Sequence, residues 1–113
     1  MKVVKESIAV SELQEMAERF SGDFVKAVVD IEKKIMAVDA ELHMDLLELL
    51  MQNEASEPKN IWGINIYPGK TREEFIEFNS MVNIKPGLGN KTRGVDNPEI
   101  QERIMQIVKK LIA

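Results

Sequence analysis

The chain has 113 residues, 44% of them hydrophobic and 30% charged, with a net charge of -4 and no cysteine. That length suits a single domain spanning 1–113, which removes roughly two-thirds of its unfolded surface from water and holds a core without a staple. The missing cysteine excludes disulfides, thiolate zinc sites and thiol nucleophiles and points to a reducing cytoplasm, while the acidic balance argues against a binder that works by neutralising nucleic-acid phosphates.

No apolar run approaches the ~20 residues of a membrane span. The opening MKVVKESIAV is too short and too broken by charge for a secretory segment, so no membrane association is expected. Charge is uneven along the chain: residues 1–60 hold 7 basic and 13 acidic side chains, and residues 61–113 hold 8 and 6. Between Ile84 and Gly94, Lys85, Lys91 and Arg93 occur without an acid.

In chain order, Val3 to Val10 reads as a short strand, and Ser11-Glu-Leu-Gln14 as a capping box. Leu13, Met16, Ala17 and Phe20 follow at helical spacing, with Ser21-Gly22 as the stop. Residues 24 to 45 fit a helical count, but they are rich in β-branched side chains, and Asp39 to Asp45 alternates polar and apolar, which favours strands. A hairpin about Lys33-Lys34 that pairs Val29 with Val38 and Lys26 with Glu41 gives one wholly apolar face. Lys-Lys suits a two-residue turn poorly, so a four-residue loop is expected. Asp45 to Glu48 is a second cap signature opening a Leu-rich helix that fades by Ala55, and Ser56 to Asn60 is loop. Next, Trp62, Ile64 and Ile66 oppose Ser80, Phe78 and Ile76, placing Asn65 opposite Glu77 across a loop of about seven residues. Finally Asn97-Pro98 is an N-cap with proline at the first helical position. The stripe Ile100, Ile104, Ile107, Val108 and Leu111 follows, with Lys109 and Lys110 at the negative end. The fold class is therefore α+β, in the order βαββαββα, with an antiparallel-dominated sheet and helices packed on one face.

Three groups could carry chemistry. Asp39, Glu41, His43 and Asp45 would share one face of an extended strand, and carboxylates with imidazole suit a transition metal or a general base. Strand neighbours on one face lie about 7 Å apart, too far for the row to converge on one ion, and His43 is the sole histidine; the plainer reading is a solvated face, and no metal or cofactor is expected. Asparagine is depleted in strands, yet Asn65, Asn79 and Asn83 fall on one sheet face beside Glu77, where their amides could hold a polar ligand or tie down the loops. Lys85-Pro-Gly-Leu-Gly-Asn-Lys-Thr-Arg-Gly94 offers glycines, cations and a downstream helix start, which suit an anion. It lacks the P-loop spacing and the dinucleotide fingerprint, and a mobile solvated loop is equally open.

The segments VVDIEKKIMAVDAELHMD, WGINIYP and FNSMVNIKPGLGNKTRGVDNPEIQERI resemble a family of small prokaryotic proteins known only as a domain of unknown function, over nearly the whole chain. The motifs are V-V-D, E-L-H-x-D, W-G-I-N and S-x-x-N-I-x-P, with a later Asn and Arg. On them Asp30, His43, Asp45, Trp62, Asn65, Ser80, Asn83, Asn90 and Arg93 match. Where the pattern has an acid just after Asp45, this chain has Leu46 and Leu47, which weakens a metal role there. The resemblance implies that the polar positions form one site and implies no reaction.

Taken together, these features describe a non-catalytic module that binds an anionic small molecule or a protein partner, through Asn65, Asn79, Asn83, Lys91 and Arg93. The alternative is a small hydrolase or phosphoryl-group enzyme with His43 or Glu77 as base and Lys91 with Arg93 stabilising charge. A homodimer is expected; the seven methionines are most simply core filler, although Met44 and Met81 could line a subunit interface. An RNA-binding role is disfavoured by the acidity and the scarce aromatics.

Overall fold

The computed structural model describes residues 1–20, 22–71 and 73–113. It is an α+β fold whose strands are β1 (Lys2–Val4), β2 (Val25–Asp30), β3 (Ile35–Val38), β4 (Ile61–Ile66) and β5 (Ile76–Glu77). The helices are α1 (Val10–Arg19), α2 (His43–Glu54) and α3 (Pro98–Leu111). The sheet order is β1-β3-β2-β4-β5, and every pairing is antiparallel. The order along the chain matches the expected βαββαββα.

The expected placement of all helices on one face does not hold. Leu13, Met16 and Ala17 of α1 and Ile104, Ile107, Val108 and Leu111 of α3 pack with Val25, Ala27, Val29, Met36, Val38, Trp62 and Ile64. Leu46, Leu47 and Leu50 of α2 pack on the opposite face, with Val28, Ile35, Ala37 and Ile61. Alternate residues of the central strands are thus apolar on both sides, and a second apolar face has to be covered rather than left to water. Among the described residues no helix is long and apolar enough to cross a membrane.

Four local readings are also corrected. The first strand ends at Val4 because Ile8 leaves the sheet for the end of α3: its amide donates to the Leu111 carbonyl (2.8 Å), and Ala113 N–H donates back to Ile8 O (2.9 Å). Helix α1 then begins at Val10 with Ala9 as an N-cap that makes no side-chain bond, so Ser11 is inside the helix rather than its cap. Its C-terminal Gly22 sits at φ 89° and donates to the Ala17 carbonyl at 2.6 Å, as a stop requires, while Ser21 lies outside the described residues.

The β2–β3 hairpin is shifted by two residues. Val29 pairs with Met36 and Ala27 with Val38, and the turn is the four residues 31–34. Asp30 causes the shift: its Oδ1 accepts the amides of Glu32 (2.9 Å) and Lys33 (3.0 Å), its carbonyl accepts Lys34 N–H (2.8 Å), and Lys34 takes a left-handed φ of 58°. Because the slip is even, every side chain keeps its face.

The stretch from Asp39 to Asp45 is not a strand. Asp39 at φ 77° breaks β3, its carboxylate pairs with Arg19 at 2.9 Å, and His43 opens α2. Asp45 therefore lies in the first turn of α2 instead of capping it. The pairing of Lys26 with Glu41 fails with that strand, and Lys26 faces Asn65 of β4. The β4–β5 register is as expected where the strands pair, with Asn65 opposite Glu77 and Ile66 opposite Ile76, but β5 ends at Glu77, so the expected pairs of Ile64 with Phe78 and Trp62 with Ser80 do not form. Asn97 caps α3 as read, its Oδ1 accepting Glu99 N–H at 2.9 Å.

The Asp30 turn is the testable hinge of this hairpin. Asp30→Ala leaves two turn amides without an acceptor and should lower the unfolding free energy by about 1–3 kcal/mol in urea titrations, with Asp30→Asn costing less because it keeps the acceptor oxygen.

Candidate functional site

Beyond Glu77 the edge of β4 is completed by side chains in place of a strand. Asn83 accepts Gly63 N–H through Oδ1 (2.7 Å) and donates through Nδ2 to Gly63 O (2.9 Å) and Arg93 O (2.9 Å). One amide side chain so reproduces the donor and acceptor of a neighbouring peptide. Close approach requires a glycine, since a Cβ at 63 would stand 2.5 Å from Ser80 Cβ. Ser80 reinforces the seat: its Oγ accepts Val82 N–H at 3.2 Å and its amide donates to Arg93 O at 2.9 Å.

Asn90 organises the following turn, donating to Asn83 O (2.7 Å) and Gly94 O (2.8 Å) and accepting Asp96 N–H (2.8 Å). Both asparagines are buried and their amides are committed to the scaffold. Lys85 is committed too, because its ammonium donates to Pro58 O (2.9 Å) and Val82 O (3.0 Å) and lies 5.1 Å from the centre of the Trp62 ring. Burial lowers its pKa. Of the three loop cations, only Lys91 and Arg93 therefore face outward, both exposed.

This loop delivers Asn79 and Arg93 to a polar corner on the α2 side of the sheet. Lys26, Asn65 and Glu77 form one row across β2, β4 and β5. Asn65 Nδ2 donates to Glu77 Oε1 (2.8 Å), and the Tyr67 hydroxyl donates to the same oxygen (3.2 Å). Slight burial, then the Glu77 charge, raises the Tyr67 pKa. Arg93 Nε donates to Asn79 Oδ1 at 2.9 Å, which fixes the guanidinium beside the row. Asn65 is 6% exposed, and its Oδ1 has no partner among the described residues.

His43, the first residue of α2, completes the corner. Its Nε2–H donates to the Ile64 carbonyl at 2.8 Å, and a carbonyl can only accept, so the neutral ring carries its lone pair on Nδ1. Burial lowers the His43 pKa below 6.5; the Ile64 bond opposes that, and the charges of Lys26 and Arg93 lower it further. The N-terminus of α2 has no side-chain cap; the Asp45 amide donates to the Leu42 carbonyl at 3.2 Å, which leaves the amides of His43 and Met44 to solvent or a ligand.

The structure thus gathers His43, Asn65, Glu77, Asn79 and Arg93, and it assigns Asn83 to the scaffold behind them. Lys91 lies on the exposed bend of the loop and makes no ion pair among the described residues. The proposed row Asp39, Glu41, His43 and Asp45 does not exist as a face, because His43 and Asp45 are helical and Asp39 is paired with Arg19. Lys26 was not among the sequence candidates. Its one signal was being the single charge inside the run Phe24 to Val29, and its role depends on the β2–β4 pairing, which no local pattern reveals.

Beside this corner, Met44, Leu47, Met81, Val82, Ile84 and Leu88 line an apolar groove of about 550 Å³ between α2 and the loop.

The architecture is that of a small α+β protein whose polar side chains serve partly as scaffold and partly as a cationic corner. The chain belongs to the family described as "Protein of unknown function (DUF5674)", whose model matches residues 2–111. Neither a curated protein nor a solved structure matches it.

The histidine gives a pH test. Since the folded-state pKa of His43 is depressed, the unfolded chain takes up the proton first as pH falls. The His43 contribution to stability should be complete above about pH 6.5 and decline as pH drops through that value toward the folded pKa. Urea midpoints measured from pH 7.5 to 5 should show this decline in the native protein and a shallower one in His43→Gln.

Proposed function

We propose that the protein binds a small anionic ligand at the corner of Lys26, His43 and Arg93, without catalysing a reaction. The observation that carries this reading is the placement of Lys26, opposite Asn65, and of Arg93, held by Asn79, around a half-buried imidazole that bonds the Ile64 carbonyl at an uncapped helix start. An oxyanion there would relieve the mutual repulsion of the cations and accept from the leading amides of α2. The buried, unpartnered Oδ1 of Asn65 adds a requirement, because only a donor satisfies it. The favoured ligand therefore carries an N–H or O–H group as well as a carboxylate or phosphate.

Catalysis is the weaker reading. The Nδ1 lone pair of His43 could act as a base, and Arg93 could stabilise charge in a hydrolase or phosphoryl-group enzyme. Glu77, however, already accepts from Asn65 and Tyr67, so the corner lacks a second acid–base group free to work with the histidine. A cysteine-free chain is consistent with a cytoplasmic setting.

Sulfate titrated into isotope-labelled protein should shift the amide resonances of His43 and Met44 saturably. In Arg93→Ala those shifts should largely vanish while the unliganded spectrum elsewhere is retained. Equal shifts at residues 43 and 44 in the variant would mean that the anion has no site at this corner, and the reading should be dropped.

A specific observation also favours association with a second copy of the chain. Met44, Met81, Ile84 and Leu88, four of the nine large apolar side chains exposed among the described residues, line the one groove beside α2. Concentration of exposed apolar surface is the mark of an interface. Light scattering should give about twice the 12.9 kDa chain mass, and Met81→Glu should return the monomer. A monomeric native protein would exclude the dimer.

A further inference from the structure

Away from the α2 corner, α3 and the β2–β3 turn enclose a cleft of about 340 Å³ lined by Ile31, Lys34, Arg103, Gln106, Ile107, Lys110 and Leu111. Its walls hold three cations and no carboxylate, in a chain whose net charge is -4. Arg103, Gln106 and Lys110 occupy positions i, i+3 and i+7 of α3, so one helix face presents all three to the same space. The four ion pairs formed among the described residues involve none of these cations.

Two features set this cluster apart. Arg103 donates from a terminal nitrogen to the Ile31 carbonyl at 3.1 Å, which orients the guanidinium against the turn. Lys34 stands at φ 58°, a left-handed conformation that glycine or asparagine adopts at lower cost. Helix-dipole complementarity accounts for Lys110 in the last turn of α3, but it does not account for Lys34 or Arg103. The acids of the two elements nearest the cleft are Glu99 and Glu102 of α3, the latter accepting from Gln106 Nε2 at 3.2 Å, and Asp30 and Glu32 at the turn. None of them lines the cleft.

We infer that this cleft is a second ligand site, one that takes a multiply charged oxyanion of the diphosphate class. Lys34 and Lys110 supply point charges from opposite walls, and Arg103 supplies a planar donor fork between them. Gln106 contributes a neutral amide. The apolar floor of Ile31, Ile107 and Leu111 excludes water from one side and strengthens the charge interactions. A single carboxylate or sulfate would satisfy only part of this set, which distinguishes the cleft from the corner at Lys26 and Arg93.

Calorimetric titration of pyrophosphate into the full chain at low ionic strength tests the site. The native protein should bind pyrophosphate saturably, and Lys34→Gly should weaken the cleft's share of that binding by about tenfold or more. Glycine removes the charge while easing the backbone at position 34, so loss of binding in that variant does not report loss of fold. Arg103→Gln should weaken binding comparably. Lys33→Ala, whose side chain does not line the cleft, should bind as the native protein does. Absence of saturable binding, or unchanged affinity in both Lys34→Gly and Arg103→Gln, would overturn the assignment. ADP in parallel separates two sources of the same group: equal affinity indicates free diphosphate, and tighter ADP binding indicates a diphosphate ester whose body rests on the apolar floor. Either outcome upholds the site.

Discussion

The bidentate bond between Asn83 and Gly63 is the constraint on which the rest of this edge depends. A β-sheet edge presents unpaired amides and carbonyls, and β5 satisfies only the last two residues of β4. At Gly63 an amide side chain does the work of a neighbouring peptide, so the chain is free to leave the sheet there and run as a loop. The same amide group holds the Arg93 carbonyl. What looks like a structural device on the edge thus fixes, through one residue's backbone, where a guanidinium stands. Asn90 repeats the strategy one turn further on, binding the carbonyls of residues 83 and 94 and the amide of residue 96. In this chain the segments W-G-I-N (62–65) and S-x-x-N-I-x-P (80–86) therefore read in physical terms as a glycine that permits close approach and the serine and asparagine that occupy the space it leaves.

Much of the fold was legible where the governing interactions are local. Asn97-Pro98 marks a helix start because the cap bond and the proline both act within one turn. The register of Asn65 on Glu77 follows from alternation over one hairpin. The failures have equally definite causes. Asp30 captures the amides of residues 32 and 33 and shifts the β2–β3 register by two residues, a competition between side chain and ladder that hydrophobic alternation does not register. Asp39 to Asp45 alternates like a strand, but Leu46, Leu47 and Leu50 need a helical period to reach the second face of the sheet, and that tertiary demand prevails. The candidate corner is legible in its residues more than in its arrangement: His43, Asn65, Asn79 and Arg93 stand out in the sequence as unusual residues. Lys26 entered only through a pairing between strands separated by an intervening hairpin and helix.

The division of labour among similar residues is the more general lesson of the corner. Asn83 and Asn90 have their amide groups bonded within the protein, and both are inert toward a ligand for that reason. Asn65 spends its Nδ2 on Glu77 and leaves a buried Oδ1 without a partner. The same contrast separates Lys85, whose ammonium is consumed by two carbonyls and the Trp62 ring, from Lys26 and Arg93, whose charges bear on His43. An unspent polar atom in a buried position is costly. Residue type alone therefore does not separate a fully bonded asparagine from one with an acceptor to spare. The hydrogen bonds do, and the spare acceptor of Asn65 lies in the same row as Lys26, beside the uncapped start of α2.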